Sequence, residues 1–157
     1  MSRETDHEPE ADIEMSTIVV GVDGSEHAER AIEWCAQHAV RLGADVVVVH
    51  AVDLPLAGAP GIGCAPLPPL TEEERDDDLT AIVRDRWSAA LATAGVDSRV
   101  EVVDGPAATA LKDAARANDA ELVVVGRRGR GGFAELLLGS TSHHLSHHLD
   151  RPLVIVP

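Results

Sequence analysis

Three glycines, two hydroxyl side chains and a run of arginines give this chain its densest concentration of groups able to hold an anion. Gly126, Gly129 and Gly139 lead directly into Ser140 and Thr141, in the spacing G-x2-G-x9-G-S-T. A residue without Cβ lets backbone N–H groups close on phosphate oxygens, and a neighbouring hydroxyl adds a donor. Arg127, Arg128 and Arg130 lie within four residues with no acid among them. They offer positive charge to the same anion, although a solvated arginine loop is the competing reading, because charge runs commonly face water. This is not a Walker A loop: G-x4-G-K-[S/T] is absent, and the only lysine, Lys112, lies elsewhere. Nor is it the dinucleotide fingerprint, whose glycines follow the first strand.

Other residues able to do chemistry are fewer. Asp23, in VDGS, closes the first apolar run. It either caps the next helix or faces the crevice where open parallel sheets bind ligands; Ser25 is the better placed cap, which frees Asp23 for the crevice. His50 lies in the second apolar run with no Ser or Cys partner in reach by sequence, so a satisfied strand histidine is expected, not a catalytic one. In HHLSHH, His143 with His147 and His144 with His148 stand at i and i+4. Such pairs can hold Zn²⁺, yet only Asp150 suggests itself as a further ligand, so an exposed, titrating helix side without metal is expected. Ser140, Thr141 and Ser142 are candidate phosphorylation positions, where a phosphate would compete for the same amides.

The elements that must position these groups follow from hydrophobic periodicity. Continuous β-branched runs at 17–22 and 45–52 read as strands buried on both faces, joined by a helix over 26–42. That helix carries Ala28, Ile32, Cys35, Ala39 and Leu42 on one face, with Ser25 as N-cap and Gly43 as C′ residue. Five prolines and three glycines make 53–70 a long surface loop. Thr71 and Glu74 form a capping box opening a second helix, whose stripe is Leu79, Ile82, Val83, Trp87, Ala90, Leu91 and Ala94, ended by Gly95. A third strand over 96–103 carries polar alternation that suggests a sheet edge. Pro106 sits at the first position of a third helix, whose inner face holds Leu111, Ala114 and Ala115. A strand over 121–125, the glycine loop, a helix over 140–149 and a strand over 153–156 complete a β-α-β-α-β-α-β-α-β order. That order implies a parallel sheet covered by helices on both faces.

Composition narrows the function classes. The chain has 157 residues, 45% of them apolar, but the aromatics are only Trp34, Trp87 and Phe133, so the core must be aliphatic. The net charge of −14 opposes binding to DNA, RNA or anionic lipid. Neither a transmembrane run of 18 apolar residues nor a secretory signal is visible, so no membrane association is expected. Two cysteines, Cys35 and Cys64, suit a reducing cytoplasm. Residues 1–15 are acidic and aperiodic, and read as a disordered tail before a single domain over 16–157, with Met15 as an alternative start.

The chain resembles the universal stress protein family over 17–157. The resemblance rests on IVVGVDGS (18–25), VVVHAVD (47–53), ELVVVG (121–126), GRRGRGGFAELLLGSTSHHL (126–145) and the closing RPLVIVP. The spacing G-x2-G-x9-G-[S/T] marks the family's ATP-binding subset. The resemblance implies a Rossmann-like three-layer α/β sandwich with a five-stranded parallel sheet in the order 3-2-1-4-5. It places Gly21, Val22 and Asp23 at the adenine and ribose end, with the backbone of Ala51 holding the base. Gly126, Gly129, Gly139, Ser140 and Thr141 would cradle ribose and phosphates, with Mg²⁺ or Mn²⁺ as companion of a triphosphate. Arg128 is added on charge complementarity alone. A homodimer through the edge strand Leu153–Val156 is also implied. The expected role is a cytoplasmic, ATP-binding stress-response sensor or regulator. Slow ATP hydrolysis and cyclic AMP binding are the alternatives, although no Walker lysine, general base or activated nucleophile is evident beside the glycines.

Overall fold

A computed structural model of the chain describes residues 16–52, 81, 84–130 and 137–157. Its strands are β1 (Ser16–Val22), β2 (Ala44–Val52), β3 (Ser98–Asp104), β4 (Leu122–Gly126) and β5 (Leu153–Val156). All pair in parallel, in the order β3-β2-β1-β4-β5. The valine-rich runs explain this arrangement, because alternate side chains of the central strands enter separate cores on the two faces. Ile18, Val20, Val46, Val48 and Val124 pack on one side. Val19, Val47, Val49, Val123 and Val125 pack on the other.

Helix α1 (Glu26–Leu42) covers the first face with Ala28, Ala31, Ile32, Cys35 and Ala39. Ser25 caps it, the hydroxyl accepting from the Ala28 amide at 3.2 Å, and Gly43 closes it with a left-handed φ of 62°. A π-helical turn, Arg84–Ser88, and a short helix α2 (Ala89–Thr93) add Trp87 and Leu91 to this core. Helices α3 (Ala107–Ala117) and α4 (Ser140–His148) cover the opposite face through Ala110, Leu111, Ala114, Ala115 and Leu145. The result is the expected three-layer sandwich.

Several boundaries differ from the sequence reading. Val96 is buried but precedes β3, because its amide donates to the Leu91 carbonyl at 2.9 Å and holds the chain on the end of α2. Pro106 is the N-cap of α3, not its first residue; its ψ of 129° is extended while its carbonyl accepts from the Thr109 and Ala110 amides. Ala90 and Ala94 are exposed: α2 ends at Thr93, and the preceding π-turn sets Trp87 and Leu91 on the core side. Leu42 is half exposed, beyond Ala39, the last buried position of α1. The tail over 1–15, the loop over 53–70, Thr71 and Glu74, the stripe residues Leu79, Ile82 and Val83, and both Cys64 and Phe133 lie outside the described residues.

Burial pushes the Cys35 thiol up to about 12, so it stays protonated throughout the physiological range. The thiolate is the reactive form. Native protein treated with iodoacetamide at mildly alkaline pH should therefore leave Cys35 unmodified, while denatured protein is alkylated there. Peptide mass spectrometry locates the label, and native labelling at Cys35 would contradict this packing.

Candidate functional site

The sheet order turns around β1: chain progression runs outward to β2 and β3 on one side, and β4 and β5 follow on the other. Side loops diverge at such a reversal, leaving a crevice beyond the carboxyl ends of the strands. A cavity of about 540 Å³ lies there. All ten residues expected at the site line it. Gly21, Val22 and Asp23 come from the tip of β1, and Ala51 from β2. Gly126, Arg128 and Gly129 come from the end of β4 and the loop after it, and Gly139, Ser140 and Thr141 from the start of α4.

Each loop glycine is there for a different steric reason. A Cβ on Gly129 would sit 2.5 Å from Asp23 Oδ2, and one on Gly139 would sit 3.1 Å from Arg128 Cα. These two glycines let the loop fold back on itself and on β1. Gly126 differs: a Cβ there would lie 2.6 Å from the backbone carbonyl carbon of His27. Its role is close packing of β4 against the first turn of α1. Gly126→Val therefore disturbs the fold itself, not a ligand site alone, since backbone cannot move aside as a side-chain tip can.

Asp23 braces the residue that caps α1 and also borders the crevice. Its Oδ1 accepts from the Ser25 amide at 2.9 Å, and its Oδ2 accepts from the Arg130 amide at 2.9 Å. Ser25 reinforces this clasp, its hydroxyl donating to the Arg128 carbonyl at 3.3 Å. On the other side, the Arg127 carbonyl accepts from the Gly139 amide at 2.8 Å and from the Ser142 hydroxyl at 2.8 Å. The Arg127 amide donates to Val156 at 2.7 Å. The loop backbone is thus pinned between β1, β5 and α4.

Two features remain available to a ligand. Gly139, the N-cap of α4, supplies no side-chain cap, and the first-turn amides of Ser140, Thr141 and Ser142 have no intrahelical acceptor. Among the described residues, the buried Nε of Arg128 has no hydrogen-bond partner. Arg130 also lines the cavity, whereas Arg127 does not border it.

Sequence reasoning missed the apolar walls. Val49, Ala107, Leu111 and Val125 line the cavity, and Leu111 packs so near Gly21 that a Cβ there would lie 2.8 Å from its Cδ1. Periodicity marked Leu111 as buried but held no signal that its neighbour was a crevice. His50 is the satisfied histidine expected: its Nδ1–H donates to the Val22 carbonyl at 2.9 Å. The four histidines of α4 are exposed, in pairs whose ring centres are 4.8 Å (His143, His147) and 4.4 Å (His144, His148) apart.

The model of the universal stress protein family matches residues 15–157. The chain belongs to that family. Among curated relatives, a universal stress protein of Mycolicibacterium smegmatis is 34% identical over 142 residues, covering 88% of this chain. Universal stress protein Rv2623 of Mycobacterium tuberculosis is 31% identical over 143 residues, covering 90% of this chain. This universal stress protein spans 45% of the length of each of these relatives. In fold it is similar to a universal stress protein solved in complex with cAMP, with a TM-score of 0.69, 23% identity, and coverage of 90% of this chain and 97% of that one. It is similar also to the Archaeoglobus fulgidus protein in complex with dAMP, with a TM-score of 0.64, 22% identity, and coverage of 92% and 99%.

The two classes of contact separate by mutation. Gly126→Val should destabilise this universal stress protein by about 1–3 kcal/mol, the usual cost of overpacking. Asp23→Asn should cost about 1 kcal/mol, because the amide group turns a donor toward one of the two backbone amides now bound. Denaturant midpoints measure both, and hydrogen exchange should accelerate at the Ser25 or the Arg130 amide in Asp23→Asn. Unchanged exchange at both would remove the clasp.

Proposed function

We propose that this universal stress protein binds ATP in the crevice beyond β1 and β4, as a cytoplasmic stress-response sensor or regulator whose residues 16–157 form one functional unit. The observation that carries the reading is the open phosphate cradle. Gly129 and Gly139, an uncapped helix start and an unpartnered Arg128 Nε stand around one cavity. Helix N-termini favour anions through free N–H groups and the helix dipole. The aliphatic walls at Val49, Ala51, Leu111 and Val125 suit the flat apolar faces of a purine base. The cAMP and dAMP complexes of the structural neighbours support an adenine ligand. A divalent ion, Mg²⁺ or Mn²⁺, would be held by phosphate oxygens, with the Ser140 or Thr141 hydroxyl as protein ligand, because Asp23 already has both oxygens on backbone amides.

The second reading is a cyclic adenine nucleotide, favoured by the neighbour complexed with cAMP. Slow ATP hydrolysis is less supported: Asp23 is held by amides, and His50 has Nδ1 bound to Val22. A homodimer through β5 accords with the two sheet edges. The β3 edge carries Arg99 and Glu101, charges that discourage pairing, whereas β5 is Leu-Val-Ile-Val. The cytoplasmic placement rests on cysteine usage, with Cys35 a free buried thiol. No helix among the described residues is long and apolar enough to cross a membrane.

Calorimetric titration with ATP tests the reading. Gly139→Val should abolish measurable binding by pushing the glycine loop off the start of α4, since a Cβ there lies 3.1 Å from Arg128 Cα, while circular dichroism of the helices and sheet stays native. Arg128→Gln should weaken binding about tenfold to hundredfold, the worth of a charge-assisted hydrogen bond of about 1.5–3 kcal/mol. Wild-type affinity in Gly139→Val would contradict the site.

A further inference from the structure

The histidine pairs of α4 stand outside the crevice and have no part in holding a nucleotide. All four rings are exposed, and among the described residues none of their nitrogens has a hydrogen-bond partner within the protein. Their spacing is informative. With Zn–N bonds of about 2.0–2.1 Å and a ring centre about 1.1 Å behind the ligating nitrogen, two imidazoles on one ion have centres about 4.5–5.2 Å apart at ligand angles of about 90–110°. His143 and His147 are 4.8 Å apart, inside that span, and His144 and His148 are 4.4 Å apart, just below it. His147 and His148, 6.3 Å apart, lie outside it, so the four rings make two separate clamps.

We infer that His143 and His147 form a surface site for a divalent transition cation of the imidazole-preferring kind, such as Zn²⁺. Helical geometry places the two imidazoles on one face, within reach of a single ion, because i and i+4 side chains are neighbours. The His144–His148 pair is the weaker clamp, since its rings stand closer than two imidazoles on one ion do. Asp150 does not complete either sphere, because Arg116 holds it at 3.2 Å. No group of three or more His, Cys, Asp or Glu converges among the described residues, so water supplies the remaining ligands and the ion exchanges with solvent. The clamp ties successive turns of the helix whose first residues line the crevice. It draws on no residue of the proposed nucleotide site.

Titration of ZnCl₂ into the nucleotide-free full chain, in a buffer that does not bind metal, tests this by calorimetry. His143→Asn/His147→Asn should weaken the tightest Zn²⁺ binding at least about tenfold, the lower end of the loss seen when only a ligand's supporting partner is removed. His144→Asn/His148→Asn should leave that tightest event within about twofold of wild type. The exposed rings can change without loss of fold, which circular dichroism verifies. Binding in His143→Asn/His147→Asn equal to wild type would overturn the inference. So would loss of the tightest event in His144→Asn/His148→Asn alone, or its survival when all four histidines are replaced.

Discussion

The carboxylate of Asp23 holds the backbone of the glycine loop against the tip of β1, one oxygen on the Ser25 amide and the other on the Arg130 amide. The rest of the crevice depends on that clasp. Gly129 has no side chain, and this is what lets the loop approach the carboxylate closely. With the loop so placed, the Arg127 carbonyl meets the Gly139 amide and the Ser142 hydroxyl, which orients the start of α4. The residues that carry the uncapped amides of that helix line the cavity that the loop borders. A flexible glycine segment would lose much conformational freedom on closing around an anion; a segment already pinned at several backbone atoms loses less.

The sheet makes such precision affordable. Valine and isoleucine on both faces of β1, β2 and β4 build a core with almost no aromatic volume, and small alanines on α1 and α3 let the helices approach it closely. Gly126 extends that logic to the site, bringing β4 against the first turn of α1. The same closeness fixes where β1 and β4 end, and so where the crevice opens. Stability and site geometry are therefore coupled at the strand tips, and Gly21, packed under Leu111, belongs to both.

Much of this was legible in the sequence, for identifiable reasons. Strands built from β-branched runs and a helix with both Ser25 and Gly43 at its ends carry strong local signals, and they stand where those signals put them. The glycine spacing marked the residues that border the cavity. Three things were not legible. Asp23 reads as either a cap or a site residue, and only the return of a loop more than a hundred residues later shows it tying the cap residue Ser25 to that loop. Gly126 looks like its two companions, but its neighbour is the backbone of α1, which no spacing reveals. Leu111 and Val49 read as plain core, because burial against a cavity and burial against protein give the same periodicity. The π-turn before α2 is a local departure that a 3.6-residue pattern cannot register.

The central claim is that phosphate of an adenine nucleotide rests on the backbone around Gly129, Gly139, Ser140 and Thr141. Nuclear magnetic resonance of ¹⁵N-labelled protein titrated with ATP observes those amides directly. Saturable shifts concentrated at these four residues, with smaller ones at Asp23 and Ala51, are the predicted result. A titration that leaves these amides unmoved, or moves a different part of the surface, would contradict the account.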